Sequence, residues 1–142
     1  MDFAAVNWLA VIVATIVSWA LGAGWYMAFA RQWLAAIGKT REEINSRDRT
    51  PYVWSVVVQL IMACFIAVLT PALFGATNVA NGLATGLTMW FAFVITAMIQ
   101  NHRYAGAPWS RTLIDGGYLL AVLLVHGLVI GLFGGPAAAP AA

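Results

Sequence analysis

Four stretches of this chain, residues 3–30, 51–73, 82–101 and 111–133, run with almost no charge and match the length of a membrane crossing. A helix rises about 1.5 Å per residue, so a hydrocarbon layer of about 30 Å takes about 20 residues. Each stretch supplies that. A chain that is 63% hydrophobic and 8% charged has too little polarity to coat a soluble surface, where about a quarter of residues are charged. In lipid the backbone must satisfy itself, which leaves helices or closed barrels, and segments this long select helices. The expectation is an all-α polytopic membrane protein. One domain, residues 1–133, holds four transmembrane helices in a bundle, followed by an Ala/Pro-rich tail, 134–142. The opening MDFAAVNWLA lacks the basic leader of a cleavable signal peptide, so the first stretch reads as a retained span.

The basic residues orient the bundle. Arg31, Lys39, Arg41, Arg47 and Arg49 fall in the first connection (31–50), and Arg103 and Arg111 fall in the third (102–110) and at its edge. The second connection, TPALFGATNVAN, has none. Four spans put both basic loops on one side, which the positive-inside rule assigns to the cytoplasm. Both termini then face outward. A lone cysteine, Cys64, excludes an internal disulfide, and the slight basic excess gives no reason to expect nucleic acid.

In the first connection, RQWLAAIG reads as a short amphipathic helix stopped by Gly38. TREE reads as a capping box, with Thr40 and Glu43 opening a second short helix, and Thr50–Pro51 suits the start of the next span. Trp33, Tyr52, Trp54, Tyr104 and Trp109 gather at the same side as an aromatic belt.

Each span has one stripe of small or polar residues at helical spacing. These are Ala10, Ala14, Ser18 and Gly22; Ser55, Gln59, Ala63 and Ala67; Asn81, Thr85, Thr88, Ala92, Thr96 and Gln100; and Asp115, Leu119, Val122 and His126. Helices in lipid meet where small side chains permit close approach and polar ones bond across, so the stripes are expected to face the bundle axis. Gly82/Gly86 and Gly127/Gly131 are small-xxx-small pairs suited to close crossings, either within the bundle or between subunits.

Candidate polar interior or transport residues are therefore Ser18, Gln59, Thr88, Thr96, Gln100, Asp115, Tyr118 and His126, with Gly22, Gly82, Gly86, Gly127 and Gly131 as packing positions. Asp115 reads either as an interfacial carboxylate paired with His102, Arg103 or Arg111, or as a proton- or cation-binding group. His126 lies about 16 Å from Asp115 along the helix, too far to touch it, and level with Thr15 or Ser18, Cys64 and Thr88. A hydrogen-bonded neutral imidazole is ordinary packing there; proton relay is the functional alternative. Trp19 and Trp90 sit mid-span, where each indole N–H needs a partner. Asp115, Tyr118 and His126 read as separate features. No catalytic constellation, metal-ligand set or cofactor is expected.

Three segments, NWLAVIVATIVSWALGAGWY, RQWLAAIGKTREE and PWSRTLIDGGYLLAVLLVHGLVIGLF, resemble the bacterial domain of unknown function family 1761. The resemblance implies a small four-span bacterial membrane protein and no established activity; with the basic loops in the cytoplasm, the expected place is the inner membrane with both termini periplasmic. It singles out Asn7, Trp8, Gly22, Trp25, Tyr26, Trp33, Gly38, Asp115, Gly117 and Tyr118. Many relatives have Asn in place of Asp115, which favours a hydrogen-bonding role over one that needs a carboxylate. The expected function is a non-enzymatic bundle that self-associates or joins a larger membrane complex. The rivals are a small transporter or channel for a proton, ion or solute, and cofactor or pigment binding through His126.

Overall fold

The computed structural model describes residues 3–45 and 47–135. Five helices follow in order: α1 (Trp8–Ala28), α2 (Ala30–Ile37), α3 (Thr50–Phe74), α4 (Val79–Tyr104) and α5 (Trp109–Phe133). No strand occurs among the described residues. Helices α1, α3, α4 and α5 are each long and apolar enough to cross a membrane, and short connections run them up and down. The α2 segment and both basic loops lie at one end, called here the basic end. Residues 75–78 lie at the far end. Most of the predicted tail, residues 136–142, lies outside the described residues.

Helix starts follow local chemistry. At the far end, Asn7 and Asn78 cap α1 and α4, their Oδ1 atoms accepting from the N–H groups of Ala10 (3.2 Å) and Asn81 (2.9 Å). An N-cap side chain of this kind meets one of the donors a first helical turn leaves open. At the basic end Asp48 Oδ1 accepts from Thr50 N–H at 2.9 Å, and Pro51 sits in the first turn of α3. Gly38 ends α2 at φ 68°, a left-handed conformation that only glycine adopts cheaply.

The second short helix expected in the first loop is absent among the described residues. Glu43 Oε2 does accept from Thr40 N–H at 2.7 Å, but residues 41–44 form only turns and bends. All four are exposed, so no apolar face is buried to offset the cost of nucleating a helix.

The core consists of alanines and branched aliphatic side chains: Ala10, Val11 and Ala14 of α1, Ala63 and Ile66 of α3, and Leu123 and Ile130 of α5. Large apolar residues such as Leu9, Ile16, Val53, Phe91 and Leu132 point outward, as expected where lipid is the solvent. Helix α5 is the most enclosed of the four long helices and α4 the least.

Helices α4 and α5 cross along a glycine seam. Gly82 and Gly127 face each other so closely that a Cβ on either would run into the other's carbonyl. A Cβ on Gly86 would lie 2.5 Å from the Leu123 oxygen, and one on Gly131 would lie 2.6 Å from the Asn78 oxygen. Both glycine pairs are thus engaged within the protomer, against each other, rather than offered to a second subunit.

The seam sets which face of α4 looks inward, and this corrects the predicted stripe. Gly82, Thr85 and Gly86 are buried, but Thr88, Ala92, Thr96 and Gln100 are exposed. Thr88 lies about 140° around the helix from the centre of the Gly82/Gly86 pair, at 100° per residue. Following threonines rather than glycines led off the inner face. A single π-helical turn at Trp90–Val94 then inserts one residue into the register. The half-buried residues of α4 beyond it are Ile95, Met98, Ile99, His102 and Arg103.

Candidate functional site

The polar side chains of the bundle lie at its basic end and along its centre, and α5 carries the focus of both groups. At Ile114–Asp115–Gly116 three indoles converge. Trp25 Nε1 donates to the Ile114 oxygen (3.2 Å), Trp33 Nε1 to Asp115 Oδ1 (3.1 Å) and Trp90 Nε1 to the Gly116 oxygen (2.8 Å). The Tyr26 hydroxyl also donates to Asp115 Oδ1, at 3.0 Å. The absence of a side chain at Gly117 lets an indole reach this stretch, since a Cβ there would lie 3.2 Å from the Trp25 ring, and Gly116 leaves room for Ile95, which a Cβ would approach to 2.7 Å. The sequence implies this need, since an indole buried in an apolar medium must find an acceptor, but not which acceptor it finds.

Asp115 is therefore a structural acceptor for α1 and α2 as well as an ion-pair partner. Its Oδ2 lies 3.6 Å from Arg111 Nε, one helical turn back. Of the three expected partners only Arg111 is taken. His102 and Arg103 turn instead to Thr112, 1% exposed, whose hydroxyl lies 3.0 Å from His102 Nδ1 and accepts from Arg103 Nη2 at 3.0 Å.

From the same end a chain of hydrogen bonds runs inward. Gln59 Nε2 donates to the Tyr118 hydroxyl at 2.7 Å. Ser18 Oγ donates to Gln59 Oε1 at 2.5 Å and lies 2.8 Å from His126 Nε2. With Ser18 as donor to Gln59, the imidazole is the donor to Ser18, which places its hydrogen on Nε2. His126 Nδ1 is then an enclosed acceptor without a donor. Ser18 and His126 are both 0% exposed. The thread ties α1, α3 and α5 together by four side chains, and each link crosses between helices.

Gly22 serves this thread rather than a helix crossing. A Cβ there would lie 2.9 Å from the Tyr118 hydroxyl, so the missing side chain is the seat of the phenol. The Tyr118 ring in turn packs edge-on against Tyr26 at 5.1 Å, and Tyr26 against Trp33 at 5.5 Å. The aromatic contact joins the Asp115 cluster to the thread. Asp115, Tyr118 and His126 are consequently not separate features: Tyr118 and His126 are linked through Gln59 and Ser18, and Asp115 reaches them across the Tyr26 ring.

Of the predicted polar interior residues, Ser18, Gln59, Asp115, Tyr118 and His126 come together. Thr88, Thr96 and Gln100 do not; they lie on the outer face of α4, where Thr96 Oγ1 bonds its own helix at the Ala92 oxygen (2.8 Å). Trp19 finds Ser55 Oγ at 3.1 Å, at the edge of the bundle. Tyr52, Trp54, Tyr104 and Trp109 are exposed at the basic end, whereas Trp33 turns inward.

The family model for a protein of unknown function, DUF1761, matches residues 9–131. The chain belongs to that family. The matched span includes the whole thread, the convergence at Ile114–Asp115–Gly116 and the glycine seam, so these features belong to the DUF1761 portion of the chain. No curated protein and no solved structure gives a match.

Proposed function

We propose that this DUF1761 protein is a non-enzymatic membrane bundle that associates through the outer face of α4, either with further copies or as an accessory subunit of a larger complex. One observation carries the reading. Thr88, Ala92, Thr96 and Gln100 form a line of small and polar side chains at four-residue spacing on a face turned away from the bundle. Leu87, Thr88, Phe91 and Ala92 border a shallow groove there. Membrane helices associate through small residues and interhelical hydrogen bonds, and a carboxamide such as Gln100 is costly against hydrocarbon. The residues of the thread, by contrast, are engaged with one another.

Gentle extraction and native mass spectrometry test this. The wild type is expected as an oligomer or with a retained partner, and Thr88→Leu with Gln100→Leu as a monomer of unchanged helix content. A wild-type monomer without a partner overturns the proposal. The orientation proposed with it puts the basic end in the cytoplasm of a bacterial inner membrane. A cysteine placed at Arg41 is then inaccessible to impermeant labels added to intact cells, and labelling there reverses the orientation.

The thread favours a second reading, a small transporter for a proton or cation with Asp115 at its basic end, because ionisable groups within spans are functional candidates. Proton-linked flux in liposomes, lost in Asp115→Asn, would promote it over the first.

A further inference from the structure

We propose that Arg103 and its surroundings bind the phosphate group of an anionic membrane lipid at the basic end. The inference rests on the long helices crossing a bilayer and is independent of any association through α4. Arg103 is the second-last residue of α4 and Trp109 the first of α5. Both therefore sit where spanning helices leave the hydrocarbon, at headgroup depth.

The guanidinium is held in place before any ligand arrives. Its Nη2 donates to the enclosed Thr112 hydroxyl, and its central carbon lies 4.0 Å over the Trp109 ring. Fixing a long side chain in advance removes much of the ordering cost of binding. Among the described residues Arg103 has no carboxylate partner, the one ion pair being Arg111–Asp115. Of its five N–H donors, one is met by Thr112, and Nε is enclosed without an acceptor. The head thus keeps a full positive charge and unmet donors beside an indole that is 55% exposed.

His102 adds to the site. Its Nδ1 lies 3.0 Å from the same Thr112 hydroxyl that accepts from Arg103, so the imidazole sits beside the guanidinium. A planar fork stacked on an aromatic ring, with an imidazole alongside, matches phosphate oxygens better than a flexible ammonium does. The same chemistry would take free phosphate, but the depth and the adjoining exposed indole point to a headgroup.

The test is lipid retention by native mass spectrometry of the full chain, released from nanodiscs of equal phosphatidylglycerol and phosphatidylcholine with matched acyl chains. Phosphatidylglycerol is expected to be retained about tenfold more in the wild type than in Arg103→Gln, as loss of charge-assisted hydrogen bonds implies. Arg103→Lys should fall between them, and Thr112→Val, which frees the guanidinium but keeps its charge, should lose about threefold. Arg47→Gln, in the exposed first loop, is the control and should match the wild type. Circular dichroism confirms that each variant is folded. Equal losses in Arg47→Gln and Arg103→Gln would reduce the effect to general charge and overturn the proposal. So would unchanged retention in Arg103→Gln, or displacement of the lipid by millimolar inorganic phosphate, which would assign the site to the free ion.

Discussion

Helix α5 is held on two sides by opposite means. Against the far half of α4 it presents glycine, and the two backbones touch through Gly82, Gly86, Gly127 and Gly131. Against α1 and α3 it presents Asp115, Tyr118 and His126, and the contact is a series of side-chain hydrogen bonds. Lipid offers no hydrophobic reward for bringing apolar helices together, so each side relies on what remains: dispersion at close range on one, polar satisfaction on the other. The seam is unforgiving of volume, whereas the thread should be unforgiving of a missing partner.

The largest effect is therefore expected at the seam. Gly127→Ala puts a methyl group into the Gly82 carbonyl, which cannot move without shifting a helix. Overpacking of this kind costs about 1–3 kcal/mol or more, and thermal unfolding in detergent followed by circular dichroism should show a large drop in Tm. An unchanged Tm would mean that α4 and α5 do not cross at these glycines.

Next comes the point where volume and polarity meet. Gly22→Ala should destabilise by about 1–3 kcal/mol, because the phenol of Tyr118 occupies that space. Removing the hydroxyl in Tyr118→Phe should relieve part of the loss. Additive effects in the double variant would separate Gly22 from Tyr118.

Within the thread, Ser18→Ala and His126→Leu should couple by about 0.6 kcal/mol, and at most about 1.7, the range for hydrogen bonds between membrane helices. A double-mutant cycle reads this directly. Zero coupling would remove the Ser18–His126 bond from the account.

The smallest effect lies outside the spans. Backbone and side-chain hydrogen bonds from Thr40 hold the Glu43 carboxyl below its ordinary value of 4.5. A depressed carboxylate pKa stabilises the folded form above the unfolded value, and the contribution is lost as pH falls through the folded one. Amide exchange at Thr40 should thus gain little from raising the pH above about 4.5, once intrinsic rates are allowed for, and lose protection as the pH falls below it. Protection unchanged down to the lowest pH would break the link between Glu43 and the turn.

The seam and the thread were unequally legible in the sequence. Span number, the basic end and the Gly38 stop follow from length, charge and backbone rules that act locally. The inward faces of α1 and α3 were also readable, since Ala10, Ala14, Ser18, Gln59 and Ala63 are small or polar and alternate with bulky residues such as Leu9, Ile12, Ile16, Leu60 and Ile61. Helix α4 misled because it carries two such faces, one of glycine and one of threonine, and composition alone does not rank backbone contact above hydroxyl placement. The π turn at Trp90–Val94 adds an irregularity that strict periodicity cannot foresee. The convergence of Trp25, Trp33 and Trp90 on three consecutive residues is a matter of long-range geometry. Of the three indoles, only the need of Trp90 for a partner was visible beforehand, and Trp33 was expected in the interfacial belt.

The thread from Tyr118 to His126 has one more property, which follows from counting hydrogens. If the Gln59 amide turns over, Tyr118 becomes a donor to Gln59, Gln59 to Ser18, and Ser18 to His126 Nε2. Every link survives with its arrow reversed, and the spare imidazole nitrogen changes from a lone pair into an N–H. The bundle thus contains a small electric polarity spanning about two turns of α5, and its inversion takes the rotation of one carboxamide together with the passage of the imidazole proton from Nε2 to Nδ1, while the helices stand still.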